Sequence, residues 1–179
     1  QENGFSKNEV DNIWKFADDE YFVRESTSNI IWHTEGIFNL DEEGPLILVQ
    51  DINESDASEG ATQIFLYTQN ADYLFAQSTA AFEKLNLNIQ EARIFTSSHG
   101  YCMDTFTVLE SSGLPVGNDP KRHKEIIVLL KEYLTLGDKT LLVPRFRQSR
   151  KKKYFAKSIE VELINSTEKN YSMLEINCP

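Results

Sequence analysis

Apolar and polar positions keep a helical period over the first 43 residues. Ser6 followed three residues later by Glu9 has the form of a capping box. Val10, Ile13, Trp14 and Phe16 place a short apolar stripe behind it. A second helix is expected to begin at Ser26 or Thr27 and to run past Ile30, Ile31, Trp32 and Ile37, with Tyr21-Phe22 between the two. Two short, aromatic-rich helices without partner helices must bury their stripes on some other surface.

From Pro45 the period shortens to two. Pro45 to Gln50 reads as a short strand. The acidic stretch Asp51 to Gly60 reads as a loop, and Thr62 to Thr68 alternates as a half-buried strand. Asn70 is the expected N-cap of a helix from Ala71 to Leu85, with Asp72 in its first turn and Phe75, Thr79, Phe82 and Leu85 on one side. Ile89 to Thr96 and Tyr101 to Glu110 read as strands joined by the turn Ser97-Ser98-His99-Gly100. Asp119-Pro120 opens a last helix, which carries Ile126, Leu129, Leu130, Tyr133 and Leu134 on one face and stops at Gly137.

The order from Ala61 is therefore β-α-β-β-α, with two more strand-like runs at Ser158 to Ile164 and Tyr171 to Cys178. That is an α+β chain on the ferredoxin-like βαββαβ plan, one sheet with two helices on one face, preceded by a short helical segment. Either Pro45–Gln50 or Ser158–Ile164 can supply the fourth sheet position. The divisions that follow are a helical segment at 1–44, a first module at 45–143, a linker at 144–157 and the opening strands of a second module at 158–179.

Charge narrows the function classes. The 179 residues carry a net charge of −10 and a pI near 4.8, which argues against a nucleic-acid footprint over the whole chain. Yet Arg145, Arg147, Arg150, Lys151, Lys152, Lys153 and Lys157 form a basic block without one acid, as a solvated linker or an interaction segment would. No apolar run has the roughly 20 residues of a membrane span, so the expected location is the cytoplasm. Cys102 and Cys178 match no metal spacing.

Candidate chemistry is sparse. Asp51, Asn53 and Ser55 resemble the start of a calcium loop, but Asp56 stands where a glycine is needed and Thr62 where a glutamate is needed. His33, His99 and His123 lack partners at ligand or triad spacing; His33 is expected at a helix surface and His99 in solvent. Cys102 reads as a small core residue. His99 to Phe106 faintly resembles an RNA-recognition strand, with Met103 at its central aromatic position and Asp104 on the stacking face. Neither a catalytic residue nor a metal or cofactor site is expected within the chain.

Three stretches resemble one family. Tyr21-Phe22 with Ile30-Ile31-Trp32-His33-Thr34, Thr62-Gln63-Ile64-Phe65-Leu66-Tyr67-Thr68 with Leu74-Phe75-Ala76, and Asn86 to Thr96 with Asp104 to Leu109 are similar, in order, to segments of the bifunctional uridylyltransferase/uridylyl-removing enzymes. The resemblance implies a fragment: the end of the hydrolase region, a first ACT module, a linker and the start of a second ACT module. The full-length parent would carry the nucleotidyltransferase and hydrolase sites, require Mg2+, and act on the PII signalling protein. ACT modules bind amino acids, so the implied effector is L-glutamine, with ACT–ACT self-association possible.

Carried onto this chain, the implied ligand site is the turn Asn70, Ala71, Asp72, Tyr73 and Leu74, closed over by Asn86, Asn88 and Ile89 of a neighbouring module. Where the family turn has Asp-Arg-Pro-Gly, this chain has Asn70-Ala71-Asp72-Tyr73. Tyr73 replaces the glycine that lets a ligand approach the backbone, and Asp72 would repel a ligand carboxylate. Three functions follow: a glutamine-responsive regulatory segment, a ligand-free interaction or dimerisation module, and a nucleic-acid binder working through the basic block.

Overall fold

A computed structural model describes residues 6–40, 44–52, 60–135, 160–165 and 172–177. The expectations placed on the basic block, Gly137 and Cys178 lie outside those residues. Residues 1–143 form one compact unit and 144–179 another.

In the first unit, helices α1 (Lys7–Trp14), α2 (Asp19–Arg24) and α3 (Thr27–Phe38) precede strand β1 (Leu46–Ile52). Strand β2 (Ala61–Gln69), helix α4 (Leu74–Lys84), strands β3 (Leu87–Arg93) and β4 (Tyr101–Glu110) and helix α5 (Pro120–Thr135) follow. The local signals explain most ends. Ser6 and Glu9 close their capping box, and the Ser26 side chain caps α3 by accepting from Asn29 N–H. Asp119 accepts from Lys121 N–H at the head of α5. Gly100, with φ 75°, completes the β3–β4 turn, where Ser97 N–H donates to the Tyr101 carbonyl. The second unit holds an antiparallel pair, β5 (Glu160–Asn165) and β6 (Ser172–Asn177).

The sheet runs β1-β2-β4-β3, antiparallel throughout. This is the ferredoxin-like order, with the fourth position filled by the run before the β-α-β-β-α series. Of the two contenders, the earlier one takes the place: Leu48 sits opposite Phe65 and Val49 opposite Ile64.

One face carries α4 and α5. Ile47, Ile64, Leu66, Phe106 and Val108 meet Ala81, Phe82, Ile126, Leu130 and Leu134 there in the main core. The other face is covered as well. Phe65 and Met103 pack with Tyr21 and Phe95, and around them lie Trp14, Ile30, Trp32, Ile37, Leu48 and Tyr67. The leading helices thus find their partner in this chain's own sheet. The two helices expected on one face are there, and the leading helices cover the other. One expectation is corrected: β2 is buried from Thr62 to Leu66 instead of half-buried, as a strand covered on both sides must be.

Contact between α3 and β1 is close at Gly36, where a Cβ would run into the Leu48 side chain. Gly36→Ala gains up to ~1 kcal/mol of helix propensity but overpacks the layer by ~1–3 kcal/mol. The expected net result is a loss of about 1 kcal/mol, read as a lower urea midpoint.

Candidate functional site

The turn from Asn70 to Leu74 leaves β2 beside the β3–β4 turn. Asn70 N–H donates to the Gly100 carbonyl at 2.7 Å, and the Cys102 thiol donates to Asn70 Oδ1 at 3.3 Å. Asn70 is therefore tied to β4 and does not cap a helix. The helix begins later than expected, at Leu74, and its first turn holds no acid, so Asp72 stays in the turn. Tyr73 occupies the N-cap position with φ 66° and ψ 10° and supplies no side-chain cap. It holds the left-handed backbone that a glycine would take without strain. Leu74 N–H donates to the Ala71 carbonyl at 3.3 Å, while no side chain caps the amides that follow it, and a helix N-terminus of that kind can receive an anion.

Asn86, Asn88 and Ile89 lie at the other end of the sheet. Asn86 ends α4 in the left-handed region at φ 56°. Leu87 pairs with Glu110 and Asn88 with Leu109, while Tyr101 pairs with Gln69. The ten residues of β4, roughly 30 Å of extended chain, separate the two groups. One chain does not bring them together; a ligand touching both needs a second module. The Asn86 corner is fastened by Arg122, which donates to the Leu85 carbonyl at 2.6 Å and to both carboxylate oxygens of Glu110. On the outer edge of β3, Asn88 to Ala92 are exposed, with a register shift between Ile89 and Glu91.

Polar chemistry concentrates between the leading helices and the sheet, where the sequence did not point. Glu25, its side chain fully buried, accepts from Arg93 Nε at 2.9 Å and from Asn29 Nδ2 at 2.8 Å. Gln50 Nε2 continues the chain to Asn29 and Gln63. His33 is fully buried, not on a surface: it stacks on Phe65 with ring centroids 3.6 Å apart and shares a 2.5 Å hydrogen bond with the Tyr21 hydroxyl. Burial and, secondarily, Arg93 push its pKa down to about 3. His99 is exposed, as expected, and stacks on Phe16.

Cys102 lies in the main core, and burial raises its thiol pKa. Asp104 is buried on the α4/α5 side, opposite Leu66, so it is absent from the face where bases would have to stack. Phe95 N–H donates to it at 3.3 Å, yet burial lifts its pKa to about 6. Asp51 sits in β1 and accepts from Thr62 Oγ1 at 2.5 Å. Among the described residues no three His, Cys, Asp or Glu side chains converge as a metal set. No described helix is long and apolar enough to cross a membrane.

Residues 1–36 match the family model described as "Uridylyltransferase GlnD fifth domain". Over 178 residues the chain is 35% identical to the bifunctional uridylyltransferase/uridylyl-removing enzyme of Pseudomonas fluorescens strain Pf-5 and 36% identical to that of Stutzerimonas stutzeri strain A1501. Each alignment takes in 99% of this chain and 20% of the relative. The enzyme of the same name from Pseudomonas putida strain GB-1 is 33% identical over 98% of this chain and 20% of its own length. The chain thus spans about one fifth of the curated relatives it matches. No solved structure matches it.

Proposed function

We infer that this chain, homologous along nearly its whole length to one fifth of the bifunctional uridylyltransferase/uridylyl-removing enzymes, is a regulatory segment of such an enzyme. Its ACT-type module acts as a receiver for L-glutamine. The transfer and removal of uridylyl groups on the PII protein, and the Mg2+ those steps require, belong to the rest of the parent. The observation that carries the ligand reading is the turn before α4. It keeps glycine-type backbone at Tyr73 and puts no side-chain cap on the helical amides that follow Leu74. The α-carboxylate of an amino acid would accept from those amides, with the exposed Asn88–Ile89 edge of a second module lying over it. Glutamine then changes the parent's balance only as far as it binds one of its states more tightly.

Titration of the 179-residue chain with L-glutamine, read by backbone amide NMR, tests this. The expected result is saturable shifts at Asp72 through Ala76; no movement there up to millimolar ligand ends the reading. Tyr73→Gly should sharpen the outcome. It relieves the left-handed strain, stabilising the chain by about 1 kcal/mol, and opens the turn, so the same shifts should saturate at lower glutamine.

The free edge of β3 favours a second reading, a ligand-free module that pairs edge to edge with another copy. Gel filtration over a concentration series separates the two. Self-association that is indifferent to glutamine supports pairing alone, and association that strengthens with glutamine supports the receiver.

A further inference from the structure

We propose that the cavity between α1 and the end of the sheet binds a neutral, planar heteroaromatic molecule with a hydrogen-bond acceptor on its edge. The cavity has a volume of about 380 Å³, within the range of small-molecule sites. It is far larger than the voids that packed interiors leave by chance. Two stacked aromatic pairs line it. Phe16 and His99 form one; Tyr67 and Tyr101 form the other, with ring centroids 5.0 Å apart and planes within 19°. His99 and Tyr101 are exposed, so the opening reaches solvent.

The chemistry of the walls selects the guest. Four aromatic side chains in the wall favour a flat ring, which gains from aromatic contact beyond its area. Among the described residues, His99 and the two phenols are the ionisable side chains that line the space. Burial and the neighbouring Tyr101 raise the Tyr67 pKa, which keeps that phenol neutral. A charged guest would therefore lose its hydration without a counter-charge.

Ser97 provides the polar anchor. It is nine-tenths buried and lines the cavity. Its Oγ accepts from Tyr101 N–H at 3.0 Å, and its hydroxyl hydrogen has no acceptor among the described residues. An edge carbonyl on the guest would take that hydrogen. Because Ile13 and Ile37 belong to the leading helices and Tyr67, Tyr101 and Ser97 to the sheet side, a bound molecule would join the two layers and raise the stability of their docked form. This site is distinct from the Asn70–Leu74 turn in ligand chemistry, a neutral ring as against an amino-acid carboxylate.

The test uses the 179-residue chain and two probes. They are 2-quinolone, a flat lactam, and δ-valerolactam, which keeps the amide and lacks the aromatic ring. In amide NMR, 2-quinolone up to about 2 mM, a range that still detects weak sites, should shift Phe16, Ser97 and Tyr101 saturably. δ-Valerolactam should leave them unmoved. Ser97→Ala should weaken 2-quinolone roughly fivefold, the value of one net hydrogen bond. Ala17→Leu, which fills the space, should abolish binding while the spectrum stays dispersed. Absence of shifts with 2-quinolone, an equal response to δ-valerolactam, or undiminished binding by Ala17→Leu would each overturn the proposal. If Ser97→Ala loses its fold, the lactam pair and Ala17→Leu still decide.

Discussion

An Arg93→Met variant should lose about 3 kcal/mol of stability, at the lower end of the cost of stranding a buried charge. The reason lies in its partner. The Glu25 side chain is fully buried at the junction of α2 and α3, and Arg93 is the cation that faces it, itself only 17% exposed. Removing Arg93 leaves the buried carboxylate with the Asn29 amide as its hydrogen-bond donor and no facing cation. Glu91, the other carboxylate on Arg93, is half exposed and contributes little.

Urea unfolding followed by Trp14 and Trp32 fluorescence should show the midpoint fall. Exchanging both members, Glu25→Met with Arg93→Met, should recover most of the loss, because the pair's attraction and its desolvation nearly cancel when both go. A double variant as weak as the single one would mean that the buried ions hold α2 and α3 on the sheet by more than mutual neutralisation.

That network marks the limit of what the sequence displays. Helix ends were legible wherever a short polar side chain does the capping, as at Ser6, Ser26 and Asp119, because the signal is local. The start of α4 was not. A tyrosine in left-handed backbone carries no positional signature, and Asn70, a good cap by type, spends its side chain on Cys102 and its amide on Gly100.

The buried side of α3 is polar in part: Asn29, His33 and Thr34 face inward while Ile31 and Phe38 are exposed. Hydrophobic period alone therefore puts His33 outside. What makes burial tolerable is partners on other elements: Tyr21 of α2 for His33, Trp14 of α1 for Thr34 and Gln50 of β1 for Asn29. In β2 the signal is present in the sequence itself. Ile64 and Leu66 alternate with Phe65 and Tyr67, apolar on both faces, which is the mark of a strand covered twice. The turn at Asn70–Leu74 and the corner at Asn86–Ile89 can each be read along the chain, but their separation by the length of β4 depends on strand order, which no local pattern carries.

Between pH 6 and 4 the first unit should hold nearly constant stability, and two opposed buried groups are the cause. His33 has its pKa lowered from 6.5 to about 3 by burial, so the unfolded chain takes up this proton first. Its contribution is complete above pH 6.5 and drains away as pH falls toward 3, on the order of 4–5 kcal/mol in all at ~1.4 kcal/mol per unit. Asp104 has its pKa raised from 3.8 to about 6, also by burial, so the folded chain binds this proton first. Its contribution is complete below pH 3.8 and is lost as pH rises through 6, on the order of 3 kcal/mol. Over the shared window one slope offsets the other, and the acid loss proper begins only below about pH 4.

Asp104→Asn keeps an oxygen for the Phe95 amide and removes the compensating proton. Its stability should therefore fall steadily from pH 6.5 downward, by ~1.4 kcal/mol per unit. His33→Gln, which retains a polar partner for Tyr21, should do the reverse and grow more stable from pH 6 to pH 4. Urea midpoints at half-unit steps from pH 7 to pH 3 read all three curves. Parallel curves for the wild type and Asp104→Asn between pH 6 and 4 would show that the aspartate titrates outside that window. The flat region would then need another origin than opposed protons in the two layers of one sheet.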